Sequence, residues 1–211
     1  MSASPPGALP KPVASGAVGE ALTFYFERDF GRHAVKVMPG EFFVAREEVV
    51  ISTVLGSCVA ACIWDPEVKV GGMNHFMLPG GDAGRDVATA SGRYGAFAME
   101  QLINELIKRG ARKFKLEAKV FGGGAVLRNF STLNVGERNA AFVLAFLKTE
   151  GIRVVSQDLL DIHPRRVVYF PTSGRALCKR LTNVDNAALV AEQQYTAKIN
   201  ATNVAGEIEL F

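Results

Sequence analysis

Val49-Val50-Ile51-Ser52-Thr53-Val54-Leu55, then Gly56-Ser57, then Cys58-Val59-Ala60-Ala61-Cys62-Ile63-Trp64, then Asp65-Pro66, is the stretch on which the fold turns. Two short apolar runs rich in β-branched residues are separated by a Gly-Ser break and closed by an Asp-Pro turn. That punctuation reads as two strands rather than one helix. Val68–Leu78 resumes as a further strand. Upstream, Thr23–Glu27, Ala34–Met38 and Glu41–Ala45 are short, aromatic or β-branched, and broken by Gly31 and Pro39-Gly40.

Downstream, residues 79–92 have the composition of an exposed loop. Met99, Leu102, Ile103, Leu106 and Ile107 then recur at helical spacing and predict a helix over about 93–109, with Gly110 at its left-handed C-terminal cap. Phe114–Val120 alternates as a strand and runs into Gly122-Gly123-Gly124. A second helix is expected over about 136–150, with capping-box spacing at Asn134 and Glu137. Strands follow near 152–156, 166–171 and 175–181, and a weaker helix after Asp185 reaches about Asn200. Residues 1–20, with Pro5, Pro6, Pro10 and Pro12, read as a flexible tail. Strands outnumber helices and the two mix through residues 21–211, which predicts a single layered α+β domain: a β-sandwich or mixed sheets flanked by helices.

The chain has 211 residues, 48% hydrophobic and 21% charged, a globular composition that needs neither disulfides nor a metal to fold. A net charge of +3 does not suggest a nucleic-acid binder. No apolar run reaches the roughly 18 residues of a membrane span, and no signal core opens the chain, so a cytoplasmic protein without membrane insertion is expected. The cysteines, Cys58, Cys62 and Cys178, are too few for a disulfide framework and suit a reducing compartment. His33, His75 and His163 are widely spaced, and no C-x-x-C or H-x-x-x-H pair suggests structural zinc.

The chemistry concentrates at Cys58, which follows the Gly-Ser break, and His75, on the next strand but one turn away. Antiparallel strands joined at Asp65-Pro66 bring a thiol and an imidazole within reach, and an imidazole can convert a thiol to its nucleophilic thiolate. A hydroxyl or amide must then orient the ring; Thr53 and Ser52 are candidates. Cys62, about 13 Å along the strand from Cys58, cannot bridge to it; Cys62 and Cys178 read as packing residues. Gly122-Gly123-Gly124 lacks the phosphate-loop ending and reads as a tight turn or a wall beside the site. Asp65, Asp82 and Asp86 read as turn and loop residues, His163 as a loop residue, and Arg165-Arg166 as a solvated pair.

Three segments resemble the CheD family of chemoreceptor glutamine deamidases: Thr53-Val54-Leu55-Gly56-Ser57-Cys58-Val59-Ala60-Ala61-Cys62, Gly71-Gly72-Met73-Asn74-His75-Phe76-Met77-Leu78-Pro79, and Asn134-Val135-Gly136-Glu137-Arg138-Asn139. The resemblance covers about residues 40–182. It implies a cysteine hydrolase of toxin-deamidase-like fold that converts glutamines of methyl-accepting chemoreceptors to glutamate in bacterial chemotaxis. The nucleophile is carried onto Cys58 and the base onto His75. The third residue, a Thr just upstream of the nucleophile, is carried onto Thr53, with Ser52 as the substitute hydroxyl. No cofactor or metal is implied. The partner implied is the cytoplasmic helical bundle of a chemoreceptor, with a CheC phosphatase as a second, and glutamyl methyl ester hydrolysis is also allowed. The competing readings are a non-catalytic regulatory module for a receptor or phosphatase, and a cysteine hydrolase of another kind.

Overall fold

Successive side chains of a strand point to opposite faces, so a strand that is apolar at every position needs a core on both sides. The strand Val59–Asp65 is apolar at every position before its closing Asp65, and the fold is built around it. The computed structural model describes residues 22–79, 90–126, 135–182 and 186–204. Ten strands run in chain order: β1 (Thr23–Glu27), β2 (Arg32–Lys36), β3 (Phe42–Ala45), β4 (Val50–Leu55), β5 (Val59–Asp65), β6 (Val70–Asn74), β7 (Glu117–Gly122), β8 (Arg153–Leu159), β9 (Arg165–Phe170) and β10 (Arg175–Arg180). Three helices accompany them: α1 (Ala90–Lys108), α2 (Val135–Thr149) and α3 (Asn186–Val204). The strands form two five-stranded mixed sheets, ordered β1-β2-β4-β9-β10 and β3-β6-β5-β7-β8.

β5 is central in the second sheet. Its Val59, Ala61 and Ile63 enter a core shared with Met99, Leu102 and Leu106 of α1 and Phe142, Val143 and Leu147 of α2. Its Ala60 and Cys62, with Cys58 just before them, enter a second core with Ile51 and Leu55 of β4 and Val167 and Tyr169 of β9. The layers are therefore sheet, sheet, helices. β4 contributes Ile51 and Leu55 to the inter-sheet core and Val50 to the small outer cluster with Ala34, Val168 and Phe170. The α+β reading of layered sheets flanked by helices is borne out.

Local differences have local causes. α1 begins at Ala90 rather than 93, because the buried Ser91 hydroxyl donates to the Pro79 carbonyl at 3.1 Å and ties the first turn down. Gly110, at φ +93°, caps the helix as expected. Phe114 does not begin a strand: Lys113–Lys115 form a 3₁₀ turn, and the exposed Phe114 ring lies under the Arg112 and Lys115 cations at 5.7 and 6.0 Å. Arg165 is not solvated. It is fully buried, with Nε donating to Asp158 Oδ1 at 2.8 Å and the guanidinium bonded to the carbonyls of His163 and Leu160. Asp65 is the turn residue expected, accepting from the Glu67 and Val68 N–H groups at 2.8 and 3.3 Å. The expected tail 1–20, most of the 79–92 loop with Asp82 and Asp86, and Asn134 lie outside the described residues.

Gly122 closes β7 at φ +110°, and a Cβ there would lie 2.2 Å from the Cys58 carbonyl oxygen. Gly122→Ala is therefore expected to cost about 2 kcal/mol or more from the disfavoured backbone angle and the overlap. Urea titration should show a lower midpoint at unchanged slope; an unchanged midpoint would contradict the geometry.

Candidate active site

β4 and β5 belong to different sheets, and Gly56-Ser57-Cys58 is the crossover between them. Its carbonyls are tied from one side. Gly124 N–H donates to Gly56 O and Gly123 N–H to Cys58 O, both at 2.8 Å. Asn139 Nδ2 of α2 donates to Ser57 O at 2.9 Å, while its Oδ1 accepts from Leu78 N–H at 2.9 Å. The held carbonyls of Gly56 and Ser57 share their peptide planes with the N–H groups of Ser57 and Cys58, which together with Gly56 N–H point to the other side, a backbone nest suited to a negative oxygen. The glycine run is thus the wall beside the site.

β5 and β6 form the expected antiparallel hairpin, and Val59 pairs with Phe76 beyond it. That register sets His75 opposite Ala60, on the face Cys58 shares. The His75 backbone is pinned by Gly40 N–H to His75 O at 2.7 Å and His75 N–H to Glu41 O at 3.0 Å. Cys58 is fully buried and His75 nearly so.

The two hydroxyls part as strand alternation demands. Thr53 shares the inward face of β4 with Ile51 and Leu55, and its Oγ1 lies 2.8 Å from His75 Nδ1. Ser52 faces the other way and bonds the Tyr25 hydroxyl at 2.7 Å. The Thr53 hydroxyl donates its proton to the Val37 carbonyl at 2.7 Å, so toward the ring it can only accept. Nδ1 then carries the imidazole proton and Nε2 keeps its lone pair. Nε2 is buried with no hydrogen-bond partner among the described residues.

A third group meets the pair. Cys58 Sγ, a ring nitrogen of His75 and a carboxylate oxygen of Glu192, on α3, lie within 4.8 Å of one another. Glu192 accepts from all three nest donors: Oε1 from Gly56 N–H at 2.7 Å and Cys58 N–H at 3.4 Å, Oε2 from Ser57 N–H at 3.0 Å and Ser57 Oγ at 3.1 Å. Burial, with Glu192 beside it, pushes the Cys58 thiol well above its ordinary value. Burial lowers His75 to about 4, against the opposing pull of Glu192 and the Val37 carbonyl. Thiol and imidazole are both neutral in this arrangement. Cys62 and Cys178 stand apart: Cys62 is sealed in the inter-sheet core, and Cys178, on β10, is half-buried with its thiol pushed up to about 11 by burial. Asn74 is spent on structure, accepting from Ala61 N–H at 3.0 Å and donating to Ala98 O at 3.1 Å.

Sequence reasoning did not find Glu192 or the task of Asn139. Asn139 was visible as the last residue of the third motif; Glu192, 134 residues from Cys58 in a helix without an apolar stripe, gave no signal.

A thiol, an imidazole and a row of backbone N–H donors in one buried site are the parts that thiol-hydrolase chemistry draws on. The comparisons narrow it. The family model CheD chemotactic sensory transduction matches residues 77–180. A probable chemoreceptor glutamine deamidase CheD of Herminiimonas arsenicoxydans is 57% identical over 195 residues, covering 90% of this chain and 95% of the relative. Namesakes from Thiobacillus denitrificans and Cupriavidus pinatubonensis are 55% and 60% identical over 194 and 173 residues, covering 90% and 81% of this chain and 96% and 79% of those relatives. The chain belongs to the CheD family. No helix among the described residues is long and apolar enough to cross a membrane.

The lowered His75 has a thermodynamic signature. Between its ordinary value and about 4, the unfolded chain takes up a proton at this ring and the folded chain does not. Stability from this group is present above that window, falls as pH drops through it, and levels off below. The loss is on the order of 3 kcal/mol. Urea titrations at neutral and acid pH should show a shallower acid loss in His75→Gln than in the parent; parallel losses would contradict the burial of a neutral ring.

Proposed function

We propose that this protein is a chemoreceptor glutamine deamidase in which Cys58 is the nucleophile, His75 the general base and acid, and Thr53 the residue that orients His75. The observation that carries the reading is the Thr53 bond to Nδ1, at 2.8 Å, which leaves the lone pair of Nε2 for the thiol. The family membership and the printed names of the relatives supply the substrate: the glutamine side chains of a chemoreceptor, in bacterial chemotaxis. The protein meets them in the cytoplasm. A CheC phosphatase is a second partner on the strength of the family resemblance.

The reaction follows from the geometry. With the carboxamide in the nest, His75 Nε2 takes the Cys58 proton and Sγ bonds to the carboxamide carbon. The carbonyl π pair moves to oxygen, where the N–H groups of Gly56, Ser57 and Cys58 receive it. Collapse breaks the C–N bond; the imidazolium donates its proton to nitrogen, and ammonia leaves. Water then attacks the thioester, giving a proton to His75, and the C–S bond breaks to restore the thiol. One glutamine and one water become one glutamate and one ammonia. The Ser57 and Cys58 donors need no reorganisation as charge develops, because the carbonyls of their own peptide units are already fixed by Gly124 and Asn139.

Conversion of receptor glutamines, followed by mass spectrometry on a purified receptor fragment, tests this directly. Cys58→Ala and His75→Ala should each lower conversion by on the order of 10³-fold or more, and the double variant by little further, as for residues acting as a unit. Cys62→Ala and Cys178→Ala should retain activity and lose only modest stability. Full activity in folded Cys58→Ala would refute the covalent route and favour a stoichiometric regulatory module.

The two hydroxyls give a separate test. Thr53→Ala should cost well over tenfold in kcat, since Nδ1 loses the acceptor that fixes its proton, while Ser52→Ala should stay near the parent. The reverse order at equal thermal stability would move the orienting role to Ser52.

A further inference from the structure

The nest is full. Its three N–H groups, which the mechanism assigns to the oxyanion, are bonded to the carboxylate of Glu192, a residue of the same chain. Glu192 is 5% exposed, and the carboxylate lies within 4.8 Å of both the thiol and the imidazole. A glutamate on a helix, with its carboxylate in the oxyanion nest and against the thiol, is the product of glutamine deamidation in the position where it would be formed. It also disarms the site: the added negative charge opposes thiolate formation at Cys58, and no carboxamide oxygen can reach N–H groups already in use.

The helix that carries Glu192 is lightly held. Val190 is 46% exposed, and of the side chains described on α3 only Glu192 and Ile199 are buried. The Tyr195 ring rests on Gly40, where a Cβ would lie 2.6 Å from it, the Tyr195 and Tyr94 hydroxyls bond each other, and Thr196 Oγ1 meets Met77 Sδ at 3.1 Å. A cleft runs beside it, between α1 and the Met38–Glu41 turn, lined by Tyr94, Phe97, Gln194 and Ile199. The Glu192 carboxylate anchors α3 to the crossover through four hydrogen bonds. A helix packed by a broad apolar stripe would not depend on such an anchor.

We propose that α3 is a built-in occupant of the substrate seat: Glu192 holds the nest as the reaction's own product would, and α3 must leave before a receptor helix can present its glutamine. This rests on the reading of Cys58 and the nest as the reacting centre. Opening is then a population term: a site open for about a tenth of the time or less loses that factor in apparent reactivity, and removing the anchor restores it.

Two variants of the full-length chain test it. In Glu192→Ala, alkylation of Cys58 by iodoacetamide, followed by peptide mapping so that Cys62 and Cys178 are counted apart, should run about tenfold or more faster than in the parent. In Glu192→Gln, a carboxamide replaces the carboxylate in the same seat, and the enzyme should deamidate itself. Fragment mass spectra should locate glutamate at position 192, at a rate independent of protein concentration, and Cys58→Ala in the same chain should preserve the glutamine. Equal Cys58 alkylation in the parent and in Glu192→Ala overturns the proposal, whatever the receptor assay shows. So does a glutamine that survives at 192 in a Glu192→Gln chain that still converts receptor glutamines. Failure of the deamidase reading has a different signature: neither the parent nor Glu192→Ala converts any receptor glutamine, while Cys58 is still unmasked by the substitution.

Discussion

Three consecutive carbonyls, of Gly56, Ser57 and Cys58, are bonded from one side by Gly124, Asn139 and Gly123. Each peptide unit is planar, so a fixed carbonyl fixes the N–H of the following residue in the opposite sense: Gly56 O sets Ser57 N–H, Ser57 O sets Cys58 N–H, and Cys58 O sets Val59 N–H, which bonds Phe76 O. The crossover from one sheet to the other therefore carries a preset row of donors beside a thiol. The close approach of β7 that makes this possible requires a glycine at 122, and the Asn139 bond requires α2 to lie against the crossover. Helices, sheets and site are parts of one hydrogen-bonded arrangement.

The imidazole is set by a second chain of bonds that runs through the other sheet. The Val37 carbonyl takes the Thr53 proton, Thr53 accepts from His75, and Nε2 is left buried without a hydrogen-bond partner among the described residues. Nothing in this chain is charged. It fixes a tautomer rather than an ion pair, which fits a ring held neutral by burial. Charge enters the site from elsewhere, in the carboxylate of Glu192, and that group works against the thiolate. The thiol–imidazole pair and the carboxylate are thus separable: the first is built on the two sheets, the second is carried on α3.

Much of this could be read from the chain. The Gly-Ser break and the Asp-Pro turn place three strands and put Cys58 and His75 on adjoining ones, because turn chemistry and apolar runs are local properties. Alternation says that Ser52 and Thr53 face opposite ways, since the period of a strand is two. It does not say which face is inside. Only the packing of β4 against β5 decides that Thr53 meets the ring and Ser52 meets Tyr25. Arg165 marks another limit: its charge suggested solvent, yet Asp158, seven residues before it, and the carbonyls of Leu160 and His163 fold back onto the guanidinium, which residue type alone does not announce.

The sequence by itself determined the strand punctuation, the thiol, the imidazole and the pair of candidate hydroxyls, because each depends on residue type and near-neighbour spacing. The tertiary structure alone decided which hydroxyl orients the ring, that Asn139 and the glycine run shape the donor nest, and that Glu192 fills it. Those are contacts between segments as far as 136 residues apart, and spacing along a chain carries no information about distances the chain folds away.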